Sequence, residues 1–482
     1  RWETDHAPGF HIYIGSTRLA PVDPADVTEE KIGFDGFIIK SVRDGVVIAG
    51  RTPLGTEHGI YHFAEEVLGM HWYTAEESGP TIPRRSTVAI PRLDVTVKPD
   101  FAWRGQYYSI VTRFLTDQIK ANRDAWWTFN RLWGMSVGTG HVLSEIVPNS
   151  MFDKHPEYFA LLDGQRTAGN VSVQRCFSNR DVLQLAIDYT RRNFEAYPDM
   201  RFAALNANDG DGWCECGPCA AMGPTQAHRS LAFCNAVARA NETLYPRRGY
   251  VFIAYLGTLD PPVDMKAHRN VVPEIATMGH CRIHRISSDC PDCIDKRKIL
   301  RGWHKVAGRL AWRPYLAGGP FTAPGVLTIA EDLRFVRDLG GIGGFREHTA
   351  APQAGWAMLN WMEVKLMWDV DLDPVKLRRQ FIEGYYGPAA ADAVEKIYDT
   401  VEKGVNDSPI TPRPGDGPRR YGHNILPGGV ITPLLDGCQA EVGAALEVAK
   451  NETNKACARR IARDIGALMG KLPPDLEGLL KQ

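Results

Sequence analysis

The chain has 482 residues, of which 44% are hydrophobic and 23% are charged, and this composition is typical of a globular protein with two or three domains. Its 56 basic and 57 acidic residues leave a formal net charge of -1, so the chain lacks the basic surface of a general nucleic-acid binder. No apolar run approaches the roughly 18 residues of a bilayer-spanning helix, so we expect no membrane span.

The first part of the chain has the pattern of a small α/β domain. Two short β-type runs are followed by a glycine-rich loop, an amphipathic helix and a third strand, at residues 37–40, 46–49, 50–59, 60–68 and 71–73. The helix is expected to end before Gly69. We therefore predict an N-terminal α/β domain over residues 1–95.

The central part alternates between apolar strands and helices. Strands are predicted at residues 102–108, 134–137, 201–208, 250–255, 271–278, 309–315 and 341–347. Helices are predicted between them at residues 117–132, 182–196, 229–244, 294–306 and 328–338. Continuous apolar strands that alternate with helices favour a parallel (β/α)8-type TIM barrel over open sheets. We place this barrel at residues 98–373, with seven or eight strands.

The C-terminal part, residues 374–482, is predicted to be helical. Helical patterns at 375–403 and 435–470 are joined by a Pro/Gly-rich stretch at 409–427, which predicts a loop. We expect these helices to cover the barrel or to form the surface of a homodimer.

Two acidic residues follow predicted barrel strands, where the active sites of such barrels lie. Asp209 follows the strand at 201–208 and is flanked by Asn and Gly, and Glu347 follows the glycine-rich stretch 340–344. Carboxylates on different strands, surrounded by Trp and Tyr, are typical of a carbohydrate site, because aromatic faces stack on sugar rings while the acids act on the glycosidic bond. We predict Asp209 and Glu347 as the catalytic pair. The alternatives are an Asx turn for Asp209 and an ion pair with Arg346 or another arginine for Glu347.

Other polar and aromatic side chains near the predicted strand ends are candidates for substrate binding. They are Arg104, Asn208, Asp211, Trp213, Tyr255, His280, Trp312, Tyr315 and His348. For His141 and His155 we favour a structural role, unless the barrel places them at its mouth.

The cysteines are grouped in two places. Cys214, Cys216 and Cys219 lie within six residues, and Cys290-Pro-Asp-Cys293 adds a second pair near His280 and His284. Such pairs bind structural zinc or, in an exported protein, form disulfides. We favour a structural role of either kind over a catalytic thiol. We expect no cofactor and no catalytic metal, with structural zinc at the Cys214, Cys216 and Cys219 group as the alternative. Cys176, Cys234, Cys438 and Cys457 are interpreted as isolated buried thiols or as members of further bridges.

Several motifs resemble known carbohydrate enzymes. Gly50-Arg-Thr-Pro-Leu-Gly-Thr-Glu-His-Gly-Ile-Tyr61, with Trp72-Tyr73, is similar to the N-terminal domain that precedes the barrel in α-glucuronidases and β-hexosaminidases. His155-Pro-Glu-Tyr-Phe-Ala160, Asn208-Asp-Gly-Asp-Gly-Trp-Cys-Glu-Cys216 and the segment 361–368 resemble glycoside hydrolase family 163 and its uncharacterised relatives.

This resemblance implies an endo-β-N-acetylglucosaminidase that cuts the chitobiose core of N-glycans. It implies retaining hydrolysis in which the acetamido group of the substrate is the nucleophile. Asp209 would be one catalytic carboxylate and Glu347 its partner. The substrate would be an oligosaccharide or a glycoprotein glycan.

Two other functions remain open. An α-glucuronidase-like enzyme, or another glycosidase on an acidic polysaccharide, would use arginines to pair with a sugar carboxylate. The candidates are Arg104, Arg282, Arg285, Arg313 and Arg346. A non-catalytic carbohydrate-binding protein could use the same barrel. Because the chain starts at Arg1 instead of Met and carries paired cysteines, we expect export to the bacterial periplasm or the cell exterior.

Overall fold

The computed structural model describes residues 9–75, 79–107, 117–169, 172–281, 284–316, 325–348, 354–407 and 433–466. Its N-terminal part is a four-stranded sheet of β1 (His11–Ile14), β2 (Phe37–Val42), β3 (Gly45–Gly50) and β4 (Asp94–Val97). The strand order is β1-β3-β2-β4, with β1 parallel to β3 and the other pairs antiparallel. The short helix α1 (Glu29–Ile32) precedes β2, and α2 (Pro53–Glu66) packs against β2 and β3.

Helix α2 begins inside the glycine-rich stretch for which the sequence predicted a loop, so that prediction was wrong. The Thr52 side chain accepts a hydrogen bond from the Gly55 N–H and caps the helix, with Pro53 in its first turn. Gly55 is required for packing, because a Cβ there would lie 2.5 Å from the carbonyl oxygen of Gly36. The strand predicted at 71–73 is only a single bridge between His71 and Thr81.

The centre of the molecule is a nearly closed parallel barrel. Its strands are β5 (Trp103–Tyr107), β6 (Ser136–Val137), β9 (Met200–Ala204), β10 (Gly249–Ala254), β11 (Val271–Ala276), β12 (Leu310–Arg313), β13 (Tyr315–Leu316) and β14 (Gly341–His348). A separate hairpin, β7 (Leu161–Leu162) and β8 (Gln165–Arg166), lies between β6 and β9 in the sequence. The order around the barrel is β5-β14-β12/β13-β11-β10-β9-β6, which gives seven strand positions among the described residues.

The barrel closes between its first two strands. The N–H of Trp133 donates to the carbonyl oxygen of Arg104 at 2.9 Å, and the N–H of Met135 donates to that of Ala102 at 2.7 Å. These bonds connect the residues before β6 to β5. The predicted fold class, a (β/α)8-type barrel with a small N-terminal α/β domain and C-terminal helices, is therefore confirmed.

Helices follow the strands along the chain. They are α3 (Asp117–Phe129), α4 (Leu143–Ile146), α5 (Arg180–Ala196), α6 (Gly217–Ala220), α7 (Gln226–Asn241), α8 (Pro291–Ala307), α9 (Val326–Asp338) and α10 (Ala354–Trp368). The C-terminal helices are α11 (Pro374–Tyr386), α12 (Ala391–Asn406), α13 (Gln439–Asn451) and α14 (Lys455–Asp464). Helix α11 contacts α9 and α10, so the C-terminal helices cover one side of the barrel. None of the described helices has the length and hydropathy needed to cross a bilayer.

Buried ion pairs join the N-terminal sheet to the barrel. The Arg104 side chain on β5 is fully buried and donates to Asp35, to the carbonyl oxygen of Phe101 at 2.6 Å and to that of Arg131 at 2.9 Å. Burial alone would raise the pKa of Asp35, but the neighbouring charges of Arg104 and His58 lower it to about 2. The folded state therefore contains Asp35 as an anion that the barrel must neutralise.

Replacing this carboxylate should destabilise the protein in a pH-dependent way. The folded-state pKa of Asp35 lies below the value of about 3.9 in an unfolded chain, so its stabilising effect is present above that pH and is lost as the pH falls from about 4 towards 2. At pH 7 we expect Asp35→Asn to lower the free energy of unfolding by about 3 to 5 kcal/mol. About 2 kcal/mol of the difference from the wild type should disappear in acid. Urea unfolding at a series of pH values measures both effects.

Asp124→Asn is the matched control. Asp124 is an exposed carboxylate paired with Arg123 at 2.9 Å, so its replacement should change the free energy of unfolding by less than about 1 kcal/mol. Equal effects of the two substitutions at pH 7 would show that the Asp35 pair does not hold the sheet to the barrel.

Candidate active site at the mouth of the barrel

The turn after β9 is built from buried amide side chains. The Gln174 side chain accepts from the Asn208 N–H at 2.8 Å and donates to the carbonyl oxygens of Asn208 and Gly210 at 2.7 and 2.8 Å. Asn208 donates to the carbonyl oxygen of Val173 at 2.7 Å and accepts from the Ser144 hydroxyl at 3.0 Å. Both ends of the Asn208 amide therefore bond to the protein, and the structure gives it a role in shaping the turn.

Two further residues fix the same turn. Asn206 donates to the carbonyl oxygen of Gly140 at 2.6 Å and accepts from the Ile253 N–H at 2.9 Å, which joins it to β10 and to the loop after β6. At Gly210 a Cβ would lie 2.2 Å from the Cβ of Ser172, so only glycine permits this close approach. The turn is held from several directions, while the side chain of Asp209 within it is 63% exposed.

Asp209, Tyr255 and His141 meet at the carboxyl ends of three neighbouring strands, and we call them the Asp209 cluster. The Tyr255 hydroxyl, just after β10, donates to Oδ1 of Asp209. His141 follows β6, and its Nε2 lies 3.9 Å from the same oxygen. The rings of His141 and Tyr255 have their centroids 6.0 Å apart. The structure thus brings together the predicted residues Asp209 and Tyr255, and places His141 at the mouth.

The proton on His141 can be assigned from its contacts. Its Nδ1 lies 2.5 Å from the carbonyl oxygen of Ala207, which can only accept a hydrogen bond. Nδ1 therefore carries a proton, and Nε2 is the ring nitrogen that is directed towards Asp209. The cluster combines an anion, a hydroxyl donor and a group that can exchange a proton.

The other predicted carboxylate lies at the same rim of the barrel. In the backbone register, Glu347 near the carboxyl end of β14 pairs with Tyr107 of β5 and Tyr315 of β13, and His348 pairs with Leu316. The side chains of Glu347 and His348 lie outside the described residues. Arg346 pairs with Glu363 on α10, Nε to Oε2 at 2.6 Å, so it has a carboxylate partner other than Glu347.

Several predicted substrate-binding residues are enclosed by the protein. Arg104 lies between the barrel and the N-terminal sheet, and its guanidinium is 4.7 Å from the centre of the Trp368 ring. Trp213 is buried edge-on against Phe177, and His280 is buried with its Nε2 3.1 Å from Asp295. These contacts give Arg104, Trp213 and His280 structural partners.

The remaining predicted residues lie at other places near the rim. Trp312 is buried, and its Nε1 donates to the Thr277 hydroxyl at 3.1 Å. Trp312 and Tyr315 line a cavity of about 20 Å³. Asp211 is exposed on the same turn as Asp209.

The sequence analysis treated His141 and His155 alike, and the structure shows that their surroundings differ. His155 stacks on Tyr158 with ring centroids 4.5 Å apart and is not part of the Asp209 cluster, whereas His141 is. The sequence favoured a structural role for His141 unless the barrel placed it at its mouth, and the strand that places it there, β6, is only two residues long. The only signal for it was its position after the short apolar run at 134–137.

The cysteine side chains form two groups that contain no disulfide, since all ten cysteines of the chain are free thiols. Cys176, Cys214, Cys216 and Cys219 form the four-cysteine cluster, with their Sγ atoms within 4.8 Å of one another. Cys281, Cys290 and Cys293 form the three-cysteine cluster, within the same limit. Both clusters lie in loops that follow barrel strands. The interpretation of Cys176 as an isolated thiol was therefore wrong, because it joins the group at 214–219.

Comparisons with known proteins give a family and a fold. Residues 72–399 match the family described as Domain of unknown function (DUF4838). No curated protein sequence matches significantly.

Solved structures share the fold at low identity. A family 89 glycoside hydrolase from Clostridium perfringens matches with a TM-score of 0.53 and 11% identity over 89% of this chain and 56% of its own. The same enzyme in complex with its substrate GlcNAc-alpha-1,4-galactose matches with a TM-score of 0.53 and 10% identity over 96% of this chain and 62% of its own. A family 138 enzyme that targets pectin rhamnogalacturonan II matches with a TM-score of 0.50 and 12% identity, over 95% of this chain and 64% of its own. The chain thus spans less than two thirds of each of these structures, and the likeness is one of fold.

The amide network around the turn can be tested without a substrate. Gln174→Ala would remove one hydrogen bond each from the N–H of Asn208, the carbonyl oxygen of Asn208 and the carbonyl oxygen of Gly210, so we expect the free energy of unfolding to fall by about 3 kcal/mol. Hydrogen exchange at residues 208–210, followed by mass spectrometry, should become faster. Gln184→Ala is the control, because Gln184 makes one exposed hydrogen bond to Asp188. Unchanged exchange at 208–210 in Gln174→Ala would mean that other contacts hold the turn.

Proposed function

Because the chain belongs to the family described as Domain of unknown function (DUF4838) and has the fold of glycoside hydrolases, we propose that it is itself a glycoside hydrolase. The observation that carries this proposal is the Asp209 cluster. An exposed carboxylate stands at the carboxyl ends of barrel strands, with a hydroxyl donor and a histidine on the same oxygen. This is the rim at which such barrels place their chemistry.

The contacts of Asp209 favour one of the two roles that its chemistry allows. The Tyr255 hydroxyl donates to Oδ1 of Asp209, so this oxygen serves as an acceptor and a neighbouring donor orients the carboxyl group. A fixed anion can stabilise the positive charge that develops at the anomeric carbon, or orient the 2-acetamido group of the substrate. We therefore assign Asp209 as the stabilising and orienting carboxylate.

Glu347 is then the candidate acid. Asp209 follows β9 and Glu347 lies near the carboxyl end of β14, so both positions are at the same rim, with β5 and β6 between β14 and β9 on one side. Successive strand positions alternate between the two faces of a sheet, and Arg346 contacts α10 on the outer side. We therefore expect position 347 to belong to the inner face. An acid there would protonate the leaving oxygen as the glycosidic bond breaks.

For the substrate we propose N-acetylglucosamine-containing glycans. The support is twofold: the motifs that resemble glycoside hydrolase family 163, and the fold shared with a structure bound to GlcNAc-alpha-1,4-galactose. In the reaction the acetamido oxygen of the substrate attacks the anomeric carbon, the bond to the leaving oxygen breaks, and water later opens the cyclic intermediate with retention. A chain with this activity acts on glycans outside the cytoplasm, so we also propose export, which fractionation of the native cells tests.

The contacts of the arginines count against an acidic sugar as the substrate. Arg104 pairs with Asp35, Arg346 with Glu363, and Arg313 with Glu274 at 3.0 Å. These three guanidiniums already neutralise buried carboxylates of the protein. Arg282 lies outside the described residues. A uronic acid would therefore have to compete with existing ion pairs at Arg104, Arg313 and Arg346, whereas Arg285 is exposed.

Substitution of the two carboxylates tests the catalytic assignment. We expect Asp209→Asn and Glu347→Gln each to lower kcat on chromogenic N-acetylglucosaminides by at least about 100-fold, with no change in Tm. Asp199→Asn is the control, because Asp199 is exposed just before β9, at the opposite end of that strand. Turnover that survives both substitutions would refute the assignment.

The products separate the remaining alternatives. Mass spectrometry of a glycoprotein digest should show glycans that keep one reducing-end N-acetylglucosamine. Release of single uronic acids, together with activity on uronides and none on N-acetylglucosaminides, would instead establish the glucuronidase-like alternative. Binding of glycans with no turnover by the wild type would establish a carbohydrate-binding protein.

The Tyr255 hydroxyl should matter for rate more than for binding. Tyr255→Phe removes the donor to Asp209, and a hydrogen bond to a charged group contributes about 1.5 to 3 kcal/mol. We expect kcat to fall by about 10- to 100-fold with KM little changed. Tyr245→Phe, which removes an exposed hydroxyl that donates to Glu195 at 3.3 Å, should leave both constants unchanged. An unchanged kcat in Tyr255→Phe would exclude Tyr255 from the chemistry.

A further inference from the structure

We propose that the two cysteine clusters are zinc sites, one formed by the segment after β9 together with Cys176, which precedes α5, and one in the segment after β11. The four-cysteine cluster would bind zinc through Cys176, Cys214, Cys216 and Cys219. The three-cysteine cluster would bind it together with His284. Both segments join a barrel strand to the following helix at the rim that carries the Asp209 cluster.

Distances in the four-cysteine cluster match a tetrahedral ion. Zinc–sulfur bonds of about 2.3 Å place the sulfurs of a tetrahedron about 3.8 Å apart. The Sγ of Cys176 lies 3.7 Å from the Sγ of Cys216 and 3.7 Å from that of Cys219. A disulfide would require about 2.05 Å. The four sulfurs therefore surround a space of the size that a single zinc ion fills.

The surroundings of this cluster suit thiolates, which carry negative charge when they bind zinc. The N–H of Leu161 and the guanidinium of Arg166 point at Sγ of Cys214, at 3.3 and 3.5 Å. The Ser178 hydroxyl lies 3.2 Å from Sγ of Cys219. Donors of this kind stabilise metal-bound sulfur and orient it.

The second site follows from the spacing of its residues and from one contact. Cys281 and His284, and likewise Cys290 and Cys293, are separated by two residues, as in structural zinc sites. The Nδ1 of His284 lies 3.5 Å from Sγ of Cys281. Tetrahedral zinc with a nitrogen at about 2.0 Å and a sulfur at about 2.3 Å places the two about 3.5 Å apart. The ligand atoms that all lie within 4.8 Å of one another are the three sulfurs alone. We propose His284 as the fourth ligand because of its contact with Cys281.

The four-cysteine site would also connect the elements that shape the turn after β9. Cys176 is two residues from Gln174, whose side chain bonds to Asn208 and Gly210. Cys214 is five residues beyond Asp209. A shared ion would cross-link the two segments on which the position of Asp209 depends.

Elemental analysis of the full chain, purified without added metal or chelator, tests the proposal. We expect two zinc ions per chain, falling to one in Cys219→Ser and to one in Cys293→Ser. His284→Ala should also lower the zinc content towards one. Cys457→Ala is the control, because Cys457 is a buried thiol outside both clusters, and it should keep two.

A second measurement on the wild type covers variants that fail to fold. Titration with an organomercurial thiol reagent, in the presence of a chromogenic zinc indicator, should release two equivalents of zinc. Absence of bound metal, disulfides within the clusters by mass spectrometry, or bound iron with visible colour would each overturn the proposal. A single zinc that is lost in Cys219→Ser and kept in Cys293→Ser would overturn the second site. None of these readouts uses hydrolase activity, so their failure is distinct from failure of the proposed function.

Discussion

Two buried carboxylates of the N-terminal segment connect the N-terminal sheet to the barrel, because their charges are neutralised by residues of the barrel. Asp35 pairs with Arg104 of β5, and Glu65 pairs with Arg131 at 2.7 Å and with Lys365 of α10. Burial works against these charges, yet Lys365 and Arg131 hold the pKa of Glu65 well below its usual range. An unpaired buried charge is far more costly than an unpaired surface charge, so the N-terminal sheet and the barrel must stay together.

The same ion pairs also affect the candidate site, because β5, which carries Arg104, pairs with β14, which carries Glu347. Arg104 fixes β5, and β5 is in register with β14, with Arg104 opposite Gly344 and Tyr107 opposite Glu347. The strand that carries the second candidate carboxylate is thus aligned by the one that anchors the N-terminal sheet. The part of the site that carries Asp209 is held differently, by the buried amide side chains of Asn206, Asn208 and Gln174. Their hydrogen bonds to backbone atoms shape the turn, which leaves the carboxylate of Asp209 exposed for chemistry.

The seven strand positions could be predicted from the sequence, because strands such as β10 and β11 are apolar runs and the alternation of strands with helices is regular. Helix α10 could not be predicted in the same way, because from Met358 to Trp368 it is buried on all sides and has no polar face to mark its period. The start of α2 was missed because glycines that permit close packing look the same in a sequence as glycines of a loop. Asp209 could be located from its strand, whereas the contact of Cys176 with Cys216 joins residues 40 positions apart, which spacing alone does not reveal.

The position of the cysteines suggests why this barrel would need metal at its rim. Beside hairpin β7–β8, Ala160 and the four-cysteine cluster form a small hydrophobic cluster that is separate from the main core, and the partly buried Leu161, Leu162 and Val173 pack against it. A cluster of this size provides little stabilisation by burial alone. Zinc bound to the same sulfurs would replace the missing apolar contacts with a cross-link whose binding free energy adds directly to that of folding. In this proposal the hydrophobic core of the barrel stabilises the strands, and bound zinc stabilises the segments that follow β9 and β11.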